Sequence, residues 1–599
     1  MCGIIGYIQN NNPNITKDIL CDLQKLEYRG YDSAGICVIS NGEFVTTKSL
    51  GEIKNLKQKT SPICATCGIA HTRWATHGNV SLQNTHPHFD NKKEWSVVHN
   101  GIIENHIVLK NKLKKNSATF YGETDTEVIP NLISFSNPKN NLHKFKTAIN
   151  QLCGSFAICA INKFEPNTIY IARKNSPLFV AKNQQQTIAS SDPVCFGERF
   201  LNYFVVPNDC IAKITNLSVE FFDFNLNPIC AQQNKIGLFE QSASLGKYPY
   251  FAEKEINQTP FVLNNIIQSY QNTNYFKNIT KSYLKDIKNI YLIGCGTAYH
   301  ACLMGQKYLE QQTDILCSSH IASEFRYSNP KIDKHTLCIF ASQSGETADT
   351  ILCQNLAKQK GAKTLCLVNV PYSTLARNCD VVLPICAGME VAVISTKAYN
   401  AMLFVFYLLA SCINCVLHNK TTNNISSVLV PLLNTNFFKN KNKINQFVDL
   451  TLASEKVFFI GKNQDYITSL EAGLKLKEIT YINCVSLPSG ELKHGTLALV
   501  DNNSLVFVIV THKELLEKNL SSASEIKSRG GKVVLVTNLK LNKKQLQNID
   551  YVFNFEPCQP DFSSMLSIIF FQQLAYKTCV KLGKNPDKPR NLAKSVTVE

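Results

Sequence analysis

Charge is scarce in this chain: Asp, Glu, Lys and Arg make up 18% of its 599 residues, against 44% hydrophobic residues. That balance excludes a disordered chain and permits several large cores, about three or four domains at the usual domain size. A hydrophobic run of membrane length is also missing. The longest, residues 401–417, is interrupted by Ser411 and Asn414 and suits a buried helix better than a bilayer. No basic segment leading into an apolar stretch opens the sequence, so no secretion signal is expected. The net charge is +17, yet there is no long basic run, and the lysines are dispersed among asparagines, as at 439–443. Anionic metabolites or a compositional drift toward Lys and Asn both account for that surplus, and neither nucleic acid nor a membrane is expected as a partner. Metal-binding patterns are lacking too. Six of the 13 histidines fall between His71 and His106, but no carboxylate completes a facial set. The pairs Cys64/Cys67 and Cys412/Cys415 have no histidines at finger spacing. The 23 cysteines, many of them inside apolar runs, read as reduced thiols in a cytoplasmic protein. No metal and no organic cofactor is expected.

Chemistry is concentrated at the two ends of the chain. Cys2 becomes the first residue if Met1 is removed, which puts a thiol and an α-amine on one residue. An α-amine titrates at about 7.7–8.0 and a free thiol at about 8.5, so the amine can serve as base for its own side chain. Gly3 leaves room for a substrate beside the backbone. On these residues alone an inert buried cysteine remains the alternative. Residues 2–9 read as a buried strand, 17–27 as an amphipathic helix, 29–35 as a turn, and 36–39 and 44–48 as strands. Arg73 carries the planar fork that binds a carboxylate bidentately. Asn100-Gly101 offers an amide and an exposed N–H to an oxyanion, or makes a plain hairpin turn. Glu123-Thr124-Asp125 suits a substrate ammonium, or caps a helix over 126–133.

These segments together (Cys2-Gly3-Ile4, 29–35, 71–78, 99–104 and 123–127) resemble the class II glutamine amidotransferase domain. The resemblance implies an α/β/β/α sandwich of the N-terminal nucleophile type that hydrolyses glutamine to glutamate and ammonia. It makes Cys2 the nucleophile. Arg73, Thr76, His77 and Asp125 would hold glutamine, Asn100 and Gly101 would form the oxyanion hole, and Trp74 would gate ammonia release.

The second half opens with an apolar strand running into Gly294-Cys295-Gly296-Thr297. This is not G-x-G-x-x-G, so a dinucleotide site is not indicated. Ser342-Gln343-Ser344-Gly345-Glu346-Thr347 follows a second strand, 336–341, and precedes a helix over 348–358. Hydroxyls, a glycine and backbone N–H groups at a helix start suit phosphate, and no Walker lysine follows. The alternative is an ordinary capped helix. An internal repeat is also present. Ile293-Gly294 and Ile460-Gly461 each end a strand, and Glu324-Phe325-Arg326 and Glu491-Leu492-Lys493 each begin 30 residues beyond that glycine. Two doubly wound parallel α/β lobes follow from this. Glu471, Lys475 and Glu478 share one helix face, which reads as catalytic or as a solvated charge stripe. His494 sits in Gly490–Gly495. Near the end, Lys594 stands alone among small residues, and a desolvated lysine forms imines with carbonyls.

This half resembles the sugar isomerase (SIS) domain pair of the glutamine–fructose-6-phosphate aminotransferase family, bacterial type. That likeness implies that Thr297, Ser342, Gln343, Ser344, Thr347 and Val393 bind the sugar phosphate. Lys594 would form the imine with open-chain fructose 6-phosphate. His494 of the neighbouring subunit would assist ring opening, so a homodimer is implied, and Glu478 would move the proton between C1 and C2 with Lys475 nearby. Glutamine and fructose 6-phosphate would be the substrates. The expected domains are an amidotransferase domain over 2–220, a linker over 221–257, SIS lobes over 258–425 and 445–588, and a catalytic tail over 589–599. Ala298, Ile394 and Thr496 depart from the family's common pattern, at positions that bear on single phosphate or sugar contacts. The S-G-G-x-D-S string that an asparagine synthetase needs is absent. A sugar-phosphate-binding regulator would leave the Cys2 set and Lys594 without purpose.

Overall fold

The computed structural model describes residues 2–12, 14–75, 77–236, 245–419 and 441–597. The chain divides into two compact units, residues 1–244 together with 593–599, and residues 245–592.

The first unit holds two antiparallel sheets. One runs, edge to edge, through Gln232–Lys235, Asn202–Val205, Phe179–Lys182, Gln186–Ser190, Gly3–Asn12, Ala65–Arg73, Ser33–Ser40 and Glu43–Leu50. The other runs through Val219–Asp223, Cys210–Ile214, Ile169–Lys174, Gly154–Asn162, Trp95–Ile103 and His88–Phe89. Alternation along the strands decides what faces what. Ile4, Ile8, Ile69, Val98, Cys159 and Ile171 meet in the core between the sheets. On the far side of the second sheet, Val97, Ile158 and Tyr170 pack against Leu109, Ile129 and Phe145 of three helices, His106–Lys115, Val128–Ser134 and Asn141–Ile149. Helix Ile15–Lys25 covers the outer face of the first sheet. The result is the expected α/β/β/α sandwich, with the chain's first strand in the interior of its sheet.

Two local expectations are corrected. Residues 221–235 are not a plain linker, because they include the end of edge strand Val219–Asp223 and all of edge strand Gln232–Lys235. Residues 29–35 are not a simple turn: a 3₁₀ turn spans Glu27–Arg29 and strand Ser33–Ser40 has already begun at Ser33. Part of the expected 221–257 linker, residues 237–244, lies outside the described residues, as does most of the boundary between the lobes. A helix does open at Phe251–Asn257.

In the second unit two five-stranded parallel sheets repeat one topology. The first has the order Leu316–Ile321, Asn289–Gly294, Thr336–Ser342, Lys363–Val368, Val381–Pro384. The second has Cys484–Pro488, Lys456–Gly461, Ser504–Val510, Lys532–Thr537, Tyr551–Asn554. Both are doubly wound sheets with strand order 2-1-3-4-5. The repeat extends to single residues. A Cβ on Gly294 would lie 2.9 Å from the backbone carbon of Ala298, and one on Gly461 2.5 Å from that of Asp465. Each glycine lets the following helix, Thr297–Gln312 or Gln464–Thr480, close tightly on its strand. The 22-residue helix Lys397–His418 is long and apolar enough to cross a membrane. It is instead mostly buried, and with helix Pro560–Lys581 it contributes to one apolar core shared by both lobes. Ile394 joins that core, so the branched side chain at this unusual position is used for packing.

Gly461→Ala forces a methyl into backbone that cannot yield, and we expect a loss of about 1–3 kcal/mol, read as a lowered Tm in thermal denaturation. An unchanged Tm would show that the strand–helix closure tolerates a Cβ.

Candidate functional site

Cys2 precedes the interior strand Gly3–Asn12, and the antiparallel register sets Gly3 opposite Thr72. That pairing brings Trp74 beside the thiol. The Trp74 N–H donates to Cys2 Sγ over 3.2 Å, Gly3 N–H donates to Thr72 Oγ1 at 3.0 Å, and Ile4 N–H donates to Ser191 Oγ at 3.0 Å. From the second sheet, Asn100 Nδ2 donates to the Cys2 carbonyl at 2.8 Å. The Asn100 Oδ1 is engaged by His71 Nε2 at 3.0 Å, so the amide nitrogen is the end turned to Cys2. Burial pushes the Cys2 thiol up, while the Trp74 N–H and the Arg73 guanidinium pull it back.

Arg73 ends strand Ala65–Arg73, and its guanidinium is wrapped by the next loop. Nη1 donates to Asn79 O at 3.2 Å, Nη2 to Gly78 O at 3.1 Å and also to His77 O. Burial holds its pKa below the ordinary value, against Cys2, Asp32 and Asp125, which favour the charge. Asp125 is buried, and its Oδ2 accepts Ile103 N–H at 2.8 Å. It does not cap the following helix, which starts at Val128 after Glu127. Asn100 and Gly101 lie inside strand Trp95–Ile103, opposite Ala157 and Phe156, so the hairpin-turn reading is overturned. Gly101 has φ +119°, and a Cβ there would sit 1.9 Å from Ser155 O. The backbone at this position therefore requires glycine.

One pocket gathers Cys2, Arg73, Trp74, His77, Asn100, Gly101 and Asp125. Ala593, Ser595, Val596 and Thr597 of the tail line it as well. Thr76 falls outside the described residues. Four more histidines, His71, His86, His88 and His99, are buried around the pocket. Burial pushes His71 down to about 3 and lowers His86, His88 and His99, so the rings are neutral. His88 Nε2 meets Thr124 Oγ1 at 3.1 Å and His99 Nδ1 meets Thr126 Oγ1 at 2.9 Å. Among the described residues no group of three or more His, Cys, Asp or Glu is arranged to hold a metal.

The second cluster lies between helices Thr297–Gln312 and Gln464–Thr480, the counterparts in the repeat. Glu471 and Lys475 have no exposed side-chain surface and stand 3.2 Å apart; Lys475 also meets Glu478 at 2.9 Å. Thr297 Oγ1 donates to Glu471 Oε1 at 3.0 Å and accepts from Lys475 Nζ at 2.9 Å. His300 Nδ1 lies 2.7 Å from Glu471 Oε2. The solvated-stripe reading of this face is therefore wrong at Glu471 and Lys475: the adjoining lobe covers it. Their attraction outweighs burial, which lowers the Glu471 pKa and raises that of Lys475. His300 and the Glu471 carboxylate's role were not singled out from sequence. The available signal was the i, i+3 spacing of Thr297 and His300 on one helix face.

Ser342–Thr347 follows its strand as expected. Ser342 Oγ accepts Gly345 N–H at 2.9 Å and lies 3.3 Å from Thr347 Oγ1, and Glu346 N–H donates to Ser344 Oγ at 3.1 Å. Gln343 O accepts Asn369 N–H at 3.1 Å. The helix Ala348–Gln359 begins with Thr347 as N-cap but without a side-chain cap bond. Val393 N–H donates to Asp587 O at 3.0 Å. His494 is exposed at the end of the 3₁₀ turn Glu491–His494, and Lys594 is half-buried. We expect Lys475→Met, which leaves the buried Glu471 carboxylate without its cation, to cost about 3–5 kcal/mol in denaturant unfolding of the second unit's transition. A stability matching wild type would mean that the pair is not the network's electrostatic centre.

Comparison with known proteins agrees with both halves. A glutamine amidotransferase domain profile matches residues 71–197, and the SIS domain profile matches 283–412 and 451–574. The chain is 38% identical to the glutamine–fructose-6-phosphate aminotransferase (isomerizing) of Caldanaerobacter subterraneus subsp. tengcongensis and 36% identical to that of Clostridium acetobutylicum, each over 100% of both chains. Among solved structures, the C-terminal domain of glucosamine-fructose-6-phosphate aminotransferase from Francisella tularensis is 31% identical, with TM-score 0.53, covering 58% of this chain and 100% of that one. The chain thus belongs to the glutamine–fructose-6-phosphate aminotransferase (isomerizing) family.

Proposed function

We infer that this enzyme converts fructose 6-phosphate and glutamine to glucosamine 6-phosphate and glutamate, the entry to amino-sugar synthesis. The observation that carries the reading is the Cys2 thiol beside the Trp74 N–H, in a pocket walled by Arg73, Asp125, Asn100 and the tail residues on either side of Lys594. Cys2 attacks the carboxamide carbon of glutamine. Its own α-amine, exposed once Met1 is removed, takes the thiol proton and passes it to the leaving ammonia. Arg73 attracts the substrate α-carboxylate with its charge, and Asp125 binds its ammonium, with Thr76 and His77 beside them. Asn100 Nδ2 and the Gly101 N–H take the charge that develops on the carbonyl oxygen. Water then cleaves the thioester to glutamate. Trp74 controls the release of ammonia.

At the sugar, Thr297, Ser342, Gln343, Ser344, Thr347 and Val393 hold the phosphate and chain. The partner subunit's His494 assists ring opening in a homodimer. Lys594 forms an imine at the keto carbon and loses water, and ammonia then replaces the lysine nitrogen. Glu478 removes a proton from C1 and returns it at C2, with Lys475 Nζ 2.9 Å from its carboxylate. The many cysteines inside apolar runs support a cytoplasmic setting.

The protein is mixed with glutamine and fructose 6-phosphate and amino sugar is measured. We expect turnover in wild type and none in Cys2→Ala, which still binds fructose 6-phosphate. Lys594→Ala keeps glutaminase turnover and forms no glucosamine 6-phosphate. Amino sugar from Lys594→Ala removes the imine role, and lost sugar binding in Cys2→Ala counts against two separate sites.

A further inference from the structure

We propose that His300 is a positioning residue for the isomerisation step, acting on Glu478 through Glu471 and Lys475. The proposal rests on the assignment of Glu478 as the proton carrier. His300 and Thr297 stand one turn apart on helix Thr297–Gln312 and both reach the same carboxylate. Glu471 Oε1 is shared between the Thr297 hydroxyl and Lys475 Nζ, at 3.0 and 3.2 Å. Among the described residues, Oε2 has His300 Nδ1 as its donor, at 2.7 Å. A carboxylate oxygen only accepts, so Nδ1 carries the hydrogen and the ring's tautomer is set by Glu471.

Lys475 divides its charge between Glu471 and Glu478, at 3.2 and 2.9 Å. Glu471 is fully buried, so its charge must be met by the groups around it and not by water. With the His300 N–H in place, Oε2 is satisfied and the ammonium is free to lie closer to Glu478. Without it, Glu471 draws Lys475 inward, and the carboxylate that carries the substrate proton loses its partner and its orientation. Glu478, unlike Glu471, keeps 22% of its side chain exposed, which leaves it accessible to a sugar. His300 is thus placed to tune the proton carrier without touching substrate.

The test is steady-state kinetics on the full-length protein. In His300→Ala we expect kcat for glucosamine 6-phosphate formation to fall about ten- to a hundredfold, KM for fructose 6-phosphate to stay within about twofold, and glutaminase turnover to be unchanged. His300→Asn restores an N–H donor toward Glu471 and recovers most of kcat. The idea is overturned if His300→Ala keeps wild-type kcat, if KM rises in step with the fall in kcat, or if the asparagine variant is no better than alanine. A misfolded His300→Ala is met by the asparagine variant: folded and active, it supports the donor role, and folded but slow, it removes it. Should wild type make no amino sugar, the assignment of Glu478 fails first. Wild-type turnover with an indifferent His300 sinks only this proposal.

Discussion

Glu471 is a carboxylate with no access to water, and the second unit is arranged around satisfying it. A buried charge is tolerable only with a counter-charge and donors at hydrogen-bond distance, since its desolvation costs several kcal/mol. Lys475 supplies the charge from the same helix; Thr297 and His300 supply donors from the helix that opens the other lobe. These four groups meet only if the two halves of the repeat dock in one register. The glycines at 294 and 461 make that possible by letting each helix lie close on its own strand. The apolar core shared by both lobes supplies the bulk of the packing, and the polar cluster selects its register.

The first unit solves a different problem. A thiol beside a chain terminus is normally mobile. Here the residue after it enters an interior strand that is hydrogen-bonded on both sides, through Ala65–Arg73 and Gln186–Ser190. The sheet thereby immobilises Cys2 against Trp74. Asn100 reaches it from the opposing sheet, with its amide oriented by a neutral His71. Of the histidines between His71 and His106, His71, His88 and His99 serve as buried hydrogen-bonding struts.

Much of this was legible in the chain. Strand Gly3–Asn12, the helix after it, the repeat with its 30-residue offset and the apolar helix at 397–418 all follow from periodicity, which is a local property. Cys2, Arg73 and Asp125 could be singled out because their chemistry is unusual for the places they occupy. Boundaries were read less well. Residues 221–235 show no clear period, and only their pairing with neighbouring strands identifies the edge strands they contain.

What the sequence by itself determined is the set of elements, the repeat and the residue types that carry thiol, carboxylate and amine chemistry. What only the tertiary structure decided is which of those groups meet. Asn100-Gly101 has the composition of a turn, yet pairing with Gly154–Asn162 keeps it inside a strand. Glu471–Lys475 has the spacing of a surface pair, yet the adjoining lobe removes it from water and adds His300 as a partner. Spacing along one helix fixes only which side chains share a face. Whether that face sees solvent or another helix depends on contacts between residues more than 170 positions apart, and no local pattern encodes those.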